Sequence, residues 1–221
     1  SETEAAPFSR AQRTLVYTRA KGQSDKRPFG TQLDVDQNGY EWLTHSMAPT
    51  QIESHQFKVK VDTAACTQPY DMSLFNVSAM SFGALSANAI MALNHGAQMG
   101  GFAHDTGEGS ISRHHRTHGG DLIWEIGSGY FGCRDASGHF SPERFVENVR
   151  SPQVKMVEIK LSQGAKPGHG GVLPGPKVTE EIAEARGVMV GQDCVSPATH
   201  SSFGTPLEMM AFIQQLRTLS E

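Results

Sequence analysis

Apolar and polar residues follow two different patterns along the chain, and the change falls near residue 70. Residues 1–70 hold only short apolar runs punctuated by prolines, which predicts an N-terminal arm with short strands. Within this arm, residues 57–61 alternate between apolar and polar side chains, as a half-buried strand does. Residues 71–221 carry longer apolar runs and helical spacing, and they predict a second and larger domain.

The pattern of apolar residues in the second domain predicts strands that alternate with helices. One helix starts at the N-cap Ser86 and stops at Gly100–Gly101, and another starts at the N-cap Ser141. This alternation predicts an α/β fold with a parallel sheet. The strands are predicted from four apolar runs, at residues 73–80, 101–104, 122–126 and 154–160.

Two further helices are expected after the last predicted strand. Residues 179–186 form the first, and a capping box of Thr205 and Glu208 opens the second. About four strand–helix units fit into the chain, whereas a closed eight-unit barrel needs ~250 residues. A small open sheet and part of a longer barrel are both compatible with this pattern. In the last helix, the helical spacing predicts a buried stripe made of Leu207, Met210, Ile213 and Leu216.

Composition and charge narrow the classes of function. The chain has 221 residues, 23 glycines, 19% charged residues and a formal net charge of −4. This balance excludes a disordered tail and argues against a nucleic-acid partner. Because no apolar run approaches a membrane span and no signal peptide is recognisable, we expect a cytoplasmic location. A membrane anchor before Ser1 stays open.

Cysteine spacing gives no sign of a disulfide framework or a zinc site. The three cysteines, Cys66, Cys133 and Cys194, are far apart in the sequence. We expect them to be small buried side chains in a reducing compartment.

Candidate chemistry gathers after the predicted strands, because the carboxyl ends of parallel strands share one edge of a sheet. After the second strand, Glu108 is suited to acid–base chemistry or to holding a substrate amine. The glycine-rich loop after the fourth strand holds Lys160, Gln163 and Lys166. A lysine at a strand end stabilises negative charge on a cofactor ring or binds a substrate carboxylate. Arg186 is either a partner for an anionic substrate or a surface arginine.

Three histidines lie close together in the sequence after Glu108. They are His114, His115 and His118. Two of them are adjacent and no spaced acidic partner completes a coordination geometry, so a solvated basic loop is favoured over a metal site.

Three stretches of the chain resemble the FMN-binding synthase domain of glutamate synthase. They are residues 78–86 (SAMSFGALS), 106–109 (TGEG) and 159–168 (IKLSQGAKPG). The resemblance runs from about Pro7 to the last residue. It is closest to stand-alone bacterial proteins that resemble the central domain of the large subunit without its glutaminase part.

This resemblance implies a (β/α)8 TIM barrel that holds FMN at its mouth. The chain would cover an N-terminal arm and about the first four β/α units. In glutamate synthase, the domain converts ammonia and 2-oxoglutarate into an imino acid, which reduced FMN converts to L-glutamate by hydride transfer. The resemblance further implies an electron donor, here unidentified, and a [3Fe-4S] cluster held by the part of the protein beyond this chain.

The residues implied for the cofactor come from three strands. By motif, Ala79, Met80 and Ser81 would line the flavin ring. Lys160 would face its pyrimidine side, where the reduced ring carries negative charge. Glu125 stands where the family usually has a flavin-contacting Gln.

The residues implied for catalysis and for the substrate lie in the loops above. Glu108 and Lys166 match catalytic positions around the 2-oxoglutarate site, Gln163 belongs to the same loop as Lys166, and Lys166 and Arg186 supply positive charge for carboxylates. Val172 stands where glutamate synthase has a polar Gln near the substrate. A flavin oxidoreductase acting on another substrate therefore stays open.

A second alternative concerns the chain itself. Since the motifs end before strand five, the chain resembles half a barrel, and the segments that grip the FMN phosphate would lie beyond it. We expect the isolated 221 residues to be inactive and to bind FMN weakly at most. The alternative is a non-catalytic half barrel that self-associates through the open edge of its fourth strand.

Overall fold

The computed structural model describes residues 7–24, 30–31, 33–54, 56–164 and 167–221, and it divides into two units, Ser1–Ile52 and Glu53–Glu221. The first unit contains helix α1 (Arg10–Ala20), opened by a reciprocal capping box of Ser9 and Gln12. The arm was expected to hold only short strands. Because α1 buries no side chain, it lacks the apolar stripe by which a helix is recognised. The boundary expected near residue 70 stays a prediction.

The second unit begins with an antiparallel hairpin. Strand β1 (Lys58–Val61) pairs with β2 (Tyr70–Ser73) over four residues each. Strand β1 confirms the strand predicted at 57–61, but the expected half-burial is wrong, since all four of its side chains are exposed. Alternation along a strand reports burial only where another layer covers one face of the sheet.

Helix α2 (Ala87–Gly100) forms as predicted. The Ser86 hydroxyl accepts a hydrogen bond from the Ala89 amide, and Gly101 ends the helix in the left-handed region at φ 65°. The next strand, β3 (His104–Asp105), is shorter than the 101–104 prediction suggested. It begins late because the Phe102 amide donates back to Ala97 O, so residues 101–102 close the helix.

The strand predicted at 73–80 is wrong. Only Val77 pairs with the sheet: its amide donates to Ala103 O and its carbonyl accepts from the Asp105 amide. The Asn76 side chain accepts from the Ala103 amide and donates to Ser73 O. A side chain has thus replaced the backbone ladder that a longer strand would need.

The central sheet has β4 in its middle. It contains β3, β4 (Leu122–Ile126) and β5 (Val154–Ile159), all parallel and in that order. Helix α3 (Arg113–Arg116) lies between β3 and β4, and α4 (Pro142–Val149), capped by Ser141, lies between β4 and β5. Both longer strands and α4 confirm the sequence prediction of an α/β fold with a parallel sheet.

Residues 161–204, between β5 and the last helix, carry structure of their own. They hold β6 (Val172–Leu173), a 3-10 turn at Gly175–Lys177, helix α5 (Glu180–Arg186) and β7 (Cys194–Val195). Strands β6 and β7 form an antiparallel pair, and α5, capped by Thr179, confirms the helix predicted at 179–186. This region packs on Phe82 and Ile90 through Leu173 and Ile182.

Helix α6 (Pro206–Ser220) opens with the predicted capping box but turns another face to the core. Phe212 and Leu216 are buried against the sheet, whereas Leu207 and Met210 are 83% and 59% exposed. The predicted stripe is therefore wrong at Leu207 and Met210, whereas Leu216 is buried as predicted and Ile213 is half-buried. The helix carries apolar residues on two sides, and spacing alone does not say which side meets the sheet. Across the core, the Trp124 ring stacks on Phe145 of α4 at 5.5 Å.

Two of the three cysteines behave as expected. Cys133 and Cys194 are buried free thiols, and burial raises the pKa of Cys133 to about 12. Cys66 is only half-buried. Within the described ranges, no helix is both long and apolar enough to cross a membrane.

Candidate functional site

The carboxyl ends of β3, β4 and β5 bring charged side chains together on one face of the sheet. Along β4, Leu122, Trp124 and Ile126 turn toward the helices and their apolar core. Successive residues of a strand point to opposite faces, so Glu125 turns the other way. It is the register partner of Glu158 on β5.

Three carboxyl groups form a cluster on that face. Asp105, Glu125 and Glu158 each offer an oxygen within 4.8 Å of the other two. Asp105 and Glu125 are buried and Glu158 is exposed. Burial, more than the neighbouring acids, raises the pKa of Asp105 to about 7, against a hydrogen bond of 2.8 Å from the Gly107 amide to its Oδ1.

Lys160 supplies positive charge next to this carboxyl cluster. Its Nζ lies 3.5 Å from Glu125 Oε1. Burial raises the pKa of Glu125, and the Lys160 charge works against that rise. Among the described residues, Glu125 Oε1 accepts no hydrogen bond. Two residues predicted for the flavin site are thus adjacent, on neighbouring strands.

Glu108 is held by side chains that are distant in sequence. Its Oε2 accepts hydrogen bonds from Gln163 Nε2 at 3.0 Å and from Ser196 Oγ at 3.3 Å. Glu108, Lys160 and Gln163 also line one small cavity, together with Ser128 and His169. The structure therefore brings together three of the residues that the sequence singled out.

Glycines keep the loops around Glu108 close. A side chain at Gly171 would collide with the Glu108 carboxylate. Gly107, at φ 64°, has its Cα so near Ser81 that an added Cβ would lie 2.7 Å from the Ser81 amide. Of the other residues predicted to line the flavin, Ala79 is exposed and Met80 half-buried.

Arg186 lies apart from that cavity, within an apolar cluster. It is 5% exposed, its Nη2 donates to Phe82 O at 3.1 Å, and its guanidinium lies 5.2 Å from the centre of the Phe131 ring. A surface arginine is therefore ruled out, and its role toward a substrate stays a prediction. Lys166 lies outside the described residues.

The three clustered histidines occupy three different environments. His114 Nε2 is 3.1 Å from Glu181 Oε2, His118 stacks on His95 at 4.3 Å, and His115 is fully buried. Burial lowers the pKa of His115 to about 3. The predicted solvated loop is wrong for residues 113–116, which form helix α3 with His115 packed inward against His104, whereas His118 lies beyond this helix and is exposed.

Comparison with known proteins addresses the whole chain. Residues 19–221 match a family model described as a conserved region in glutamate synthase. The chain belongs to the glutamate synthase family.

The chain is also similar in sequence to individual members of the glutamate synthase family. The chain is 33% identical to the glutamate synthase large subunit-like protein YerD of Bacillus subtilis, over all of the chain and 50% of YerD. It is 43% identical to the archaeal-type glutamate synthase [NADPH] of Thermotoga maritima, over 56% of the chain and 22% of that protein. A large subunit-like protein of Rhizobium meliloti is 28% identical over 91% of the chain and 44% of its own length. The chain thus spans about half the length of YerD.

Sequence reasoning missed three residues of this candidate site. Glu158 lies two positions before Lys160 in a predicted strand, so period-two alternation places both on one face. Asp105 directly follows the predicted 101–104 strand, and aligning strand ends would have found it. No sequence pattern around Ser196 marked it as a site residue, since its contact with Glu108 depends on the pairing of β6 with β7.

Proposed function

We propose that the chain forms the first half of a (β/α)8 barrel. Val77, β3, β4 and β5 are parallel and lie side by side in sequence order, without the reversal of a doubly wound sheet. Helices α4 and α6 pack on one face of this sheet, and the opposite face carries the carboxyl cluster. Strand β5 is an edge, where the remaining strands of a barrel would continue. In the isolated chain the same edge would pair with a second copy.

We propose that the complete protein is an FMN-dependent oxidoreductase of the glutamate synthase type. It would reduce the imino acid formed from 2-oxoglutarate and ammonia to L-glutamate. The observation that carries this proposal is the shared cavity of Glu108, Lys160 and Gln163, because it brings a candidate acid–base group and a candidate flavin contact to one place at the carboxyl ends of the strands. The names of the relatives support the reaction class.

The residues at the strand ends fit a flavin. Glu125 Oε1 is buried, and among the described residues its polar contact is the ion pair with Lys160 at 3.5 Å, so it can also accept a hydrogen bond from an imide N–H of a ring. The Lys160 ammonium beside it would balance negative charge on that ring. Ala79, Met80 and Ser81 would line the ring from the segment after Val77. When bound, FMN supplies the hydride.

Glu108 is the proposed acid–base group. Two donors hold its Oε2, so the carboxylate is oriented before a substrate arrives. Gln163, which provides one of these donors, would also contact the substrate. Lys166 would share the catalytic role and, with Arg186, would bind the substrate carboxylates.

A second candidate, a flavin oxidoreductase acting on a different substrate, is favoured by the placement of Arg186. Its guanidinium is engaged with Phe82 O inside an apolar cluster and does not line the Glu108 cavity. Val172, at the position where glutamate synthase has a Gln, is exposed and apolar. Because of both features, fewer polar side chains are available to bind the two carboxylates of a substrate such as 2-oxoglutarate.

A single-turnover experiment on the complete protein separates these candidates without a physiological electron donor. The protein is purified, its flavin identified by absorbance and mass, and the flavin reduced anaerobically with dithionite. Addition of 2-oxoglutarate and ammonium should reoxidise the flavin and form an equal amount of glutamate. Absence of flavin would refute the proposal, whereas a flavin that only other oxidised substrates reoxidise would select the second candidate.

The proposed partners follow from the same comparison. A small anionic substrate would enter the Glu108 cavity, and an electron donor of unassigned identity would reduce the flavin. A [3Fe-4S] cluster would be held by the part of the protein beyond this chain. Iron and sulfide analysis of the complete protein tests for the cluster.

A further inference from the structure

Ser196 follows strand β7 and is only 2% exposed. Its Oγ accepts a hydrogen bond of 2.7 Å from the Gly171 amide and lies 3.3 Å from both Glu108 Oε2 and Gly171 O. One hydroxyl therefore joins the loop after β3 to the residue that precedes β6.

The direction of the Ser196 proton follows from the available acceptors. A hydroxyl has a single proton, and two oxygens lie at equal distance from it. Gly171 O already accepts the Ser196 backbone N–H at 2.9 Å, and a carboxylate oxygen is a stronger acceptor than a carbonyl oxygen. The hydroxyl thus donates to Glu108 and accepts from Gly171.

Close packing makes this contact rigid. A side chain at Gly171 would collide with the Glu108 carboxylate, and one at Gly170 would collide with the Ser196 carbonyl. A second contact joins the neighbouring residues, since Ser128 Oγ donates to Pro197 O. The β6–β7 pair and the loop that carries Glu108 therefore have little room to shift against each other.

We propose that Ser196 is a positioning residue for Glu108, whose carboxylate it fixes through Oε2. This inference rests on the proposed function, because the contact matters to the reaction only if Glu108 acts on the substrate. Gln163 donates to the same oxygen from the loop after β5. Both donors therefore hold the same oxygen, and the other oxygen of Glu108, Oε1, lies against Gly171.

Two substitutions of equal size isolate the hydroxyl. Ser196→Thr keeps the oxygen and Ser196→Val replaces it with a methyl group, so any crowding at this buried position is common to both. In the isolated chain, the Gly171 amide should exchange with solvent about tenfold faster in the Val variant than in the Thr variant, because its acceptor is lost. Mass spectrometry of peptides covering residues 167–175 measures this rate.

The same pair is then compared in the complete protein. Misplacing a catalytic group by a fraction of an ångström lowers turnover much more than binding, so kcat for glutamate formation should be about ten- to a hundredfold lower with Val than with Thr. KM for 2-oxoglutarate should change by less than about threefold. Ser196→Ala should follow the Val variant.

The outcomes distinguish failure of the positioning role of Ser196 from failure of the proposed function. Equal kcat for the Thr and Val variants in an active parent overturns the positioning role alone and leaves the proposed function standing. Equal Gly171 exchange rates overturn the contact itself. A parent protein that holds FMN but forms no glutamate overturns the proposed reaction together with the positioning role.

Discussion

Replacing Asp105 with Asn should stabilise the chain near neutral pH, although most substitutions at buried sites destabilise. Asp105 is 5% exposed and stands beside two other carboxyl groups. An Asn at this position keeps an oxygen that can accept the 2.8 Å hydrogen bond from the Gly107 amide. The substitution therefore removes a titrating acid with little change in shape.

The size of the effect follows from the pKa of Asp105. Its value of about 7 in the fold compares with 3.8 for an unperturbed Asp, and about 1.4 kcal/mol per pH unit sets an upper bound of about 4 kcal/mol. Between these two values the folded state keeps a proton that the unfolded chain has released. This contribution to stability is fully present below about pH 4 and is lost as the pH rises through about 7.

The assay is urea unfolding of the chain at a series of pH values. Buried His104 and His115, with pKa values lowered by burial to about 4 and about 3, make the parent more stable as pH rises toward 6.5. The difference between Asp105→Asn and the parent removes this background. It should be near zero at about pH 4 and reach about 2–4 kcal/mol in favour of the variant at about pH 8.

Asp135→Asn is the matched control. Asp135 is exposed, and a backbone hydrogen bond from His139 lowers its pKa, so neutralising it should give no gain at high pH. An Asp105→Asn variant that is less stable than the parent at about pH 8 would refute the reasoning. So would a difference that stays constant with pH.

Two further predictions concern packing. Phe212→Ala should destabilise the chain by about 3–5 kcal/mol in urea unfolding, because its side chain is buried. Leu207→Ala, on the exposed side of α6, should change the free energy of unfolding by less than about 0.5 kcal/mol. The reverse order would support the stripe predicted from spacing. Gly171→Ala should lower the free energy of unfolding by about 1–3 kcal/mol, because the added methyl group collides with Glu108. Gly164→Ala, with open space around it, should change the free energy of unfolding little. Equal effects of the two variants would contradict the close packing at Glu108.

Local signals in the sequence were sufficient for strands β4 and β5 and for helices α2 and α4. Residues 122–126 and 154–159 are apolar runs bounded by turns, and Ser86 and Ser141 cap helices where short-range chemistry alone determines the start. The segment at 73–80 failed because Asn76 competes for the same backbone groups, which an apolar count does not register.

The site was only partly predictable for a related reason. Lys160 and Glu108 follow strands, so topology alone places them at one edge. The path of residues 161–204 back over that edge is a tertiary property, and it alone brings Ser196 to Glu108 and carries Arg186 into an apolar cluster. The carboxyl cluster arises from strand register, which the sequence of a single strand does not contain.

Equilibrium FMN binding to the complete protein tests the central claim most directly. The parent should bind FMN stoichiometrically, and Lys160→Met should weaken binding by about tenfold or more, as expected for the loss of one charge-assisted contact. Lys155→Met, within β5 and beside Asp121, should bind as the parent does. A parent that binds no FMN, or a Lys160→Met variant that binds as tightly as the parent, would contradict a flavin site at the carboxyl ends of these strands.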